Sequence, residues 1–586
     1  MKKIILILTI FFYNYSFFYG QTTIKEATQM SAIEIPQERI YLHYNSSLLL
    51  SGEHLLFKIY CINTKTKKLS DLSKIVYIEL IGVDKKSVFK QKIWLESGLG
   101  QSDYFIPTNI SSGNYKLIAY TQWMQNGEVE DFFQGDISII NPFQDNQGSI
   151  ISKEKFDTIT NPDKEVIYSN FKLNNSKIKN SEFIKLETNN QTFSNRGEVI
   201  LKVSGLLDNN SFGNYSIAVR KIDSMETANK ITAVNYINKL KLNLNLIGQP
   251  TYIPELRGEL LSGKITSNNQ ENKVSNKKVI LTINGKYPIF KIANTNSEGI
   301  FHFNLNNDYI NSEALVQVFG HKKEDFTINF KQKSPINYND LIFNNFNINS
   351  NMKDFILDRS IHNQIENAYD SVKSNSIINL KKINPFHPTT GVLEYILDDY
   401  TRFPTVKETF VEIIDKAWLT KENENYTFRM RGNEANYISP IVLVDGILVQ
   451  NHNAIVDFSA KKIKKITIIQ DKYSYGSQKF EGIISIETLN NDFEVNISAN
   501  NISPLELFPP ERKKTYFNQT YINGNSLDRI PDFRNQLLWE PNFNLNKKEA
   551  IITFYSSDNS GDYEICLEGF TENGNPVSIR QIISVK

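Results

Sequence analysis

Histidine, cysteine and clustered carboxylates are the side chains from which metal or nucleophilic centres are built, and in this chain of 586 residues they are spread thinly. The seven histidines, His43, His54, His302, His321, His362, His387 and His452, are scattered. His43 and His54 are spaced to approach each other across a sheet, but no third ligand accompanies them, so a structural role is expected. Asp558 and Asp562 in "SSDNSGDYE" gather oxygen donors without the spacing of an EF-hand loop. Asp398 and Asp399 in "LDDY" read as turn and ion-pair residues. The sequence contains no His-Glu-x-x-His, no Gly-x-Ser-x-Gly and no phosphate-cradling Gly-Lys-Ser/Thr loop. "GLGQSD" at Gly98–Asp103 lacks the third glycine of a dinucleotide loop and reads as a turn. Cys61 and Cys566 lie at opposite ends, able to pair only if the first and last domains touch, and isolated buried thiols are expected. The reading is a non-enzyme, with no catalytic residues, no cofactor and no metal site.

Charge narrows the partners. With 65 basic and 64 acidic side chains the net charge is +1, which leaves no footprint for nucleic acid. The run "KKIKK" (Lys461–Lys465) reads as the solvated start of a strand. The opening "MKKIILILTIFFYNYSFFYGQ" has a basic start, an apolar run and a small residue before Gln21, the pattern of a secretory signal peptide over residues 1–20. No cysteine sits at the cleavage point to carry a lipid. No later apolar run reaches the roughly 18 residues of a membrane helix, so no transmembrane segment is expected after signal removal.

The elements that must position these residues are mostly strands. "SGNYKLIAY" (Ser112–Tyr120), "FGNYSIAVR" (Phe212–Arg220) and "SGDYEICLE" (Ser560–Glu568) share a Gly-Asn/Asp-Tyr turn followed by alternating apolar residues. Late strands of immunoglobulin-like sandwiches commonly begin this way, and three copies suggest three such modules. Helical spacing links Leu357, Ile361, Ile365, Ala368, Tyr369 and Val372 between about Met352 and Lys373, and the expectation is that this apolar face packs inward. Thr405 with Glu408 forms a capping box ahead of Val406, Phe410 and Ile413.

In "PQERIYLHYNSSLLLSGEHLLFKIYC", Ile40, Leu42 and Tyr44 alternate, Ser51–Glu53 turns, and Leu55, Phe57 and Ile59 resume the period of two. This opening resembles the MG2-type macroglobulin domains of Bacteroidota envelope proteins. Macroglobulins are best known as protease traps with a Cys-Gly-Glu-Gln thioester; Cys61 precedes Ile62 and Cys566 precedes Leu567, so that chemistry is absent. "NTNSEGIFHFNL" (Asn294–Leu305) resembles the non-catalytic carboxypeptidase-regulatory-like domain. "SPIVLVDGILVQ", "IKKITII" and "YSYGSQKFEGIISIET" together resemble the plug of TonB-dependent transporters.

The resemblance implies that plug-like turns at Asp445, Gly446, Tyr475, Gly476 and Gly482 serve as interaction points. A plugged barrel of about 22 strands of about 10 residues needs more than roughly 200 residues, whereas 98 follow Thr488. The barrel is therefore not in this chain.

The expected fold is mostly β, a multidomain chain of immunoglobulin/macroglobulin-like β-sandwiches with a small α/β plug-like domain. After the signal peptide, the divisions are an MG2-like sandwich at 36–142, a linker at 143–180 and a macroglobulin-like sandwich at 181–245. A carboxypeptidase-regulatory-like sandwich at 246–335, a helical connector at 336–383, a plug-like domain at 384–495 and a C-terminal sandwich at 496–586 follow. The expected function is that of a non-catalytic envelope scaffold or accessory subunit of an outer-membrane β-barrel protein or complex, in biogenesis, secretion or nutrient uptake. It would be exported and associated with the outer membrane, at the periplasmic face or the cell surface. The alternative is a secreted or surface adhesin, because "GDYEICLEGFTENGNPVSIRQIISVK" resembles type 9 sorting domains without their Pro-Asn-Pro opening.

Overall fold

The computed structural model describes residues 36–151, 181–222, 225, 228–240, 252–267, 269, 271–284, 288–306, 309–330, 335–378, 391–430, 439–475, 478–493, 499–521 and 529–586. Short strands dominate it, and they assemble into three sandwiches and one α/β module.

The first sandwich, module A, uses β1 (Glu38–Tyr44), β2 (Leu48–Leu50), β3 (His54–Asn63), β4 (Ile75–Ile81), β5 (Ser87–Trp94), β6 (Leu99–Phe105), β7 (Gly113–Tyr120) and β8 (Phe133–Ile140). Sheet β1-β3-β6 packs on sheet β2-β8-β7-β4-β5. In β1 the period of two sends Ile40 and Leu42 into the shared core with Phe57 and Ile59, while Tyr41 and His43 face the other way. That second face is buried too, so every residue of β1 is inaccessible. "GLGQSD" turns at Ser97 and Gly98, both at positive φ, and then runs on as β6.

Next come β9 (Ile184–Thr188), β10 (Thr192–Phe193), β11 (Glu198–Gly205), β12 (Gly213–Lys221) and helix α1 (Ala233–Lys239). A further run is β13 (Glu259–Ser267), β14 (Lys278–Ile283), β15 (Ile289–Asn294), β16 (Ile300–Leu305), β17 (Glu313–Phe319) and β18 (Phe326–Phe330). Helix α2 (Lys353–Ala368) and β19 (Ser376–Ile377) lead into β20 (Val392–Ile396), α3 (Val406–Glu412), β21 (Ala417–Glu422), β22 (Asn425–Met430), β23 (Ile441–Val444), β24 (Ile447–Leu448) and α4 (Asn453–Val456). Then follow β25 (Ile463–Ile469), β26 (Tyr473–Tyr475), β27 (Gln478–Phe480), β28 (Ile483–Thr488), β29 (Ile502–Glu506) and β30 (Lys514–Thr515). The last strands are β31 (Gln536–Leu545), β32 (Glu549–Tyr555), β33 (Gly561–Thr571) and β34 (Pro576–Val585).

Their pairing is nested. Module B joins sheet β10-β34-β33-β12-β31 to sheet β32-β11-β9, so strands from 181–222 and from 529–586 alternate within one sandwich. Ser216 lies opposite Glu568 and Ala218 opposite Cys566 across β12 and β33. Module C pairs β16-β13-β18 with β15-β14-β17-β29, taking its last strand from beyond the α/β module. Module D carries the sheet β20-β25-β28-β23-β24, with β23 parallel to β28, and α3 and α4 contribute Val406, Phe410, Ile455 and Val456 to its core. The order along the chain is thus A, half of B, most of C, all of D, the end of C and the rest of B.

This corrects the expectation of two separate sandwiches at 181–245 and 496–586. The three Gly-Asn/Asp-Tyr echoes are three strand starts in two sandwiches, since β12 and β33 are neighbours in one sheet. Each tyrosine closes its own corner: Tyr115 donates to the Ser111 carbonyl at 2.6 Å, Tyr215 to Ser211 at 2.8 Å and Tyr563 to Asn559 at 2.6 Å. Local chemistry fixed the corner, and only pairing across more than 300 residues decided which sandwich it belongs to. Thr405 caps α3 as its spacing requires, accepting from the Glu408 amide at 3.2 Å.

Candidate interaction surfaces

Asp445 and Gly446 form the β23–β24 turn, and both are internal. Asp445 holds φ +50 and is 5% exposed. Its carboxylate accepts from the Thr488 amide and hydroxyl at 2.7 Å each and from the Phe493 amide at 3.2 Å, which ties the end of β23 to the end of β28. Gly446 holds φ +82 because a Cβ there would stand 2.6 Å from Pro288 of module C. At Gly482 a Cβ would meet the Ile469 carbonyl at 2.4 Å. The backbone of Tyr475 pairs with Gln478 in a hairpin, and Gly476 lies outside the described residues. Asp445, Gly446 and Gly482 therefore lock module D together and against C, and none of the three presents a surface to a partner.

The other candidates separate in the same way. Asp558 is held by Arg196 at 2.6 and 2.7 Å, while Asp562 accepts from Ser584 at 2.6 Å. His43 and His54 make different contacts, His43 with Ser216 and His54 with Asp103 at 3.5 Å. Among the described residues no group of three His, Cys, Asp or Glu side chains is placed to hold a metal ion. Asp398 pairs with Arg402 at 2.6 Å. The first and last modules do touch, yet both thiols are free. Cys61 points into the core of A, whereas Cys566 points at the junction with Leu56, Ala218 and Trp539. Burial, followed by the nearby Glu568, pushes the Cys566 thiol up to about 12.

Modules A and B meet through the outer face of β1-β3-β6 and the outer face of the five-stranded sheet of B, and the contact joins polar pairs to an apolar cluster of Leu56, Ala218, Trp539 and Cys566, with Phe570 against Tyr41 and Tyr60. Tyr41 donates to Glu568 at 3.0 Å, Tyr60 to the Glu568 carbonyl at 3.2 Å, and Lys58 to Asn542 at 2.8 Å. Burial, with Lys513 nearby, lowers Lys58 to about 7. His43 Nδ1 lies 2.6 Å from Ser216 Oγ, a hydroxyl and imidazole at the distance of a nucleophile and its base. No local signal points to this pair, because its members are 173 residues apart. It has no access for a substrate: His43 is 3% exposed and the adjoining cavity holds about 10 Å³, room for one water at most. Burial, with Lys230 and Arg580 beyond, holds His43 well below the ordinary imidazole range, so it stays neutral.

Helix α2 straps A to B. Arg359 forks onto Glu53 at 2.8 and 2.7 Å, and Arg220 of module B reaches the same carboxylate at 3.2 Å. Burial raises Glu53, but the two guanidinium groups outweigh it and bring the carboxyl to about 2. Asn363 and Asn367 donate to the Ser51 and Gly52 carbonyls at 2.9 and 3.0 Å. Glu366 accepts from the Phe533 amide at 2.6 Å, and His362 stacks on the Phe533 ring at 4.4 Å. The helix thus packs chiefly by its polar face, with Ile356 against the cluster of Leu48, Leu50 and Phe346, and the stripe expected to pack inward is left outward. Leu357 and Ile361 remain 53% and 44% exposed, and Ala368, Tyr369 and Val372 continue the exposed stripe.

Module D offers a second surface. Strand β20 ends its sheet and pairs with no described strand on its outer side, with Val392 and Ile396 exposed on one face. Val411 and Trp418 add apolar area on the same module. An open cleft of about 490 Å³ between A and the chain after C is lined by Glu128, Glu130, Phe132, Tyr252, Pro335 and Asp340. No helix among the described residues is long and apolar enough to cross a membrane.

No family model matches the sequence, and no curated protein matches it. Among solved structures the chain is similar to Salmonella alpha-2-macroglobulin reacted with methylamine, at 9% identity and a TM-score of 0.23, covering 94% of this chain and 39% of that one. Escherichia coli alpha-2-macroglobulin activated by porcine elastase gives the same identity and TM-score, with 94% and 44% covered. A tetra-tandem repeat from the extending region of a large adhesion protein gives 7% identity and a TM-score of 0.11, with 94% and 99% covered. The chain spans about two fifths of the length of the macroglobulins it matches.

Proposed function

We propose that this chain is a non-catalytic scaffold of the cell envelope, an accessory subunit that associates with an outer-membrane β-barrel protein or complex in biogenesis, secretion or nutrient uptake. The observation that carries the reading is the mounting of module D. Along the chain it falls between β18 and β29 of C, and its sheet is fastened to C by Ile441, Leu443, Phe480 and Ile483 against Ile280 and Phe290. The edge strand β20 and the apolar side chains of Val411 and Trp418 are left facing outward. An outward sheet edge on a fixed base suits docking by strand addition, and the likeness of 384–495 to a transporter plug, together with the signal-peptide pattern, supports an envelope partner.

The adhesin alternative is disfavoured by the place of the C-terminal strands. A sorting tail is trimmed on export, and here β33 and β34 are the middle of a five-stranded sheet whose trimming would strip B of its core. The test is a pull-down of tagged protein from mildly solubilised outer membranes with mass spectrometry. Stoichiometric recovery of a barrel protein is expected; recovery of the chain alone, or release to the medium, overturns the proposal.

A further inference from the structure

The exposed face of α2 is built like an interface. Leu357 and Ile361, both exposed, and Ile365, half-buried, follow one another at four-residue steps, which makes a ridge of the kind that fits the groove of a second helix. The opposite face is committed, since Arg359, Asn363, Glu366 and Asn367 are all engaged with A and B. Turning the helix to hide its apolar side would therefore unpair Glu53 and Arg359, and the stripe is fixed outward. Beside the ridge stand Asp354 and Asp358, one turn apart and both exposed, and no ion pair among the described residues includes either. Like charges at that spacing repel slightly, although Asp354 in the first turn is favoured by the helix dipole and Asp358 interacts with His362 one turn on. A partner carrying cations at that flank would relieve the repulsion and cover the ridge together.

We propose that α2 docks an amphipathic helix of a partner protein, with aliphatic side chains on the Leu357–Ile361–Ile365 ridge and lysine or arginine beside Asp354 and Asp358. The proposal rests on the binding-scaffold reading but not on that partner being a barrel. A second copy of this chain fits less well, because the described residues of α2 and its C-terminal turn supply Lys353 as the one exposed cation against Asp354, Asp358 and Asp370.

The test uses the full chain and a synthetic peptide of the length of α2, made of leucine and lysine with leucines at helical spacing. A glutamate counterpart and a scrambled leucine-lysine peptide are the controls, and fluorescence anisotropy is the readout. The native chain is expected to bind the leucine-lysine helix, with affinity about tenfold or more weaker for the Leu357→Ser/Ile361→Ser variant. Asp354→Lys/Asp358→Lys is expected to exchange preference for the glutamate peptide. Both pairs are solvent-facing, and the charge variant removes no packing, so it keeps the test decisive if the serine variant folds poorly. Equal binding of the scrambled peptide, or binding that neither variant changes, overturns the proposal. Sedimentation showing self-association that Ile361→Ser abolishes also overturns it, because the occupant would then be a second copy. If the pull-down finds no barrel while the peptide results hold, the envelope reading fails and the docking face stands.

Discussion

Modules A and B are joined by hydrogen-bonded tyrosines, a histidine, a lysine and a shared carboxylate beside a small apolar cluster, whereas C and D are joined chiefly by aliphatic and aromatic side chains, with Gln317 bonded across to Leu448 and Gln450. The two junctions are held by different physics. At C–D the burial itself is favourable, at roughly 25 cal/mol for each Å² of apolar surface. At A–B each polar group gains little by being buried and costs much if left unpaired; Tyr41, Tyr60 and Lys58 find partners across the junction, while His43 Nε2 and Trp539 Nε1 are buried without one. A junction of that kind specifies one geometry and tolerates few replacements, which suits two sandwiches that must meet although their strands come from opposite ends of the chain.

The largest expected effect is at the carboxylate that A, B and α2 share. Glu53→Ala leaves Arg359 and Arg220 facing each other without their anion and is expected to cost about 3–5 kcal/mol in urea unfolding. Its wild-type contribution has a defined sign. The folded carboxyl sits at about 2, below its ordinary value of 4.5, so the stabilisation is complete above that value and fades as the pH falls through the folded one. The counterpart at C–D is Leu443→Ala, expected to cost about 3 kcal/mol with no dependence on pH from 4.5 down to about 2, the window in which the cost of Glu53→Ala fades. Equal pH dependence in the two variants would erase the contrast between the junctions.

Lys58 sharpens it. A lysine that titrates at about 7 when folded and near 10.5 when unfolded binds fewer protons in the native state across that window, so its contribution to stability rises with pH there. Relative to Lys58→Met, the native chain is expected to gain on the order of 1 kcal/mol per pH unit between those limits. A flat difference would mean that Lys58 is charged at the junction. The smallest effect is expected at the tyrosine corners. Tyr115→Phe and Tyr215→Phe each remove one hydroxyl bond at about 1 kcal/mol, Tyr563→Phe removes two, to Asn559 and Ser557, and the last two variants report on the same unfolding transition.

Sequence reading reached what is local. The alternation at Ile40, Leu42, Phe57 and Ile59, the Gly-Tyr strand starts and the Thr405 cap are all periodic or adjacent signals, and the sandwiches and α3 follow from them. What it missed is set by pairing over long separations. Nothing in "FGNYSIAVR" says that its neighbour is "SGDYEICLE", because β propensity describes a strand and not its partner. Tyr41 and His43 alternate with core residues and so look solvated, until module B covers them. The stripe on α2 reads as a packing face by its spacing alone; Glu53, 306 residues away from Arg359, turns it outward. At the candidate site, Asp445, Gly446 and Gly482 were legible as turns, but whether a turn faces a partner or its own module depends on Thr488 and Pro288, which the turn sequence does not contain.

The nested pairing of module B is the claim on which the A–B junction and the reading of the C-terminus depend. Hydrogen exchange by mass spectrometry of the full chain across a urea series tests it directly, comparing amides in 213–221 with those in 561–571. The two segments are expected to lose protection at the same urea concentration, and deletion of 576–585 is expected to unprotect both while 113–120 of module A keeps its own protection. Protection of 213–221 that survives the loss of 561–571 would contradict a single sandwich and return the chain to two independent ones.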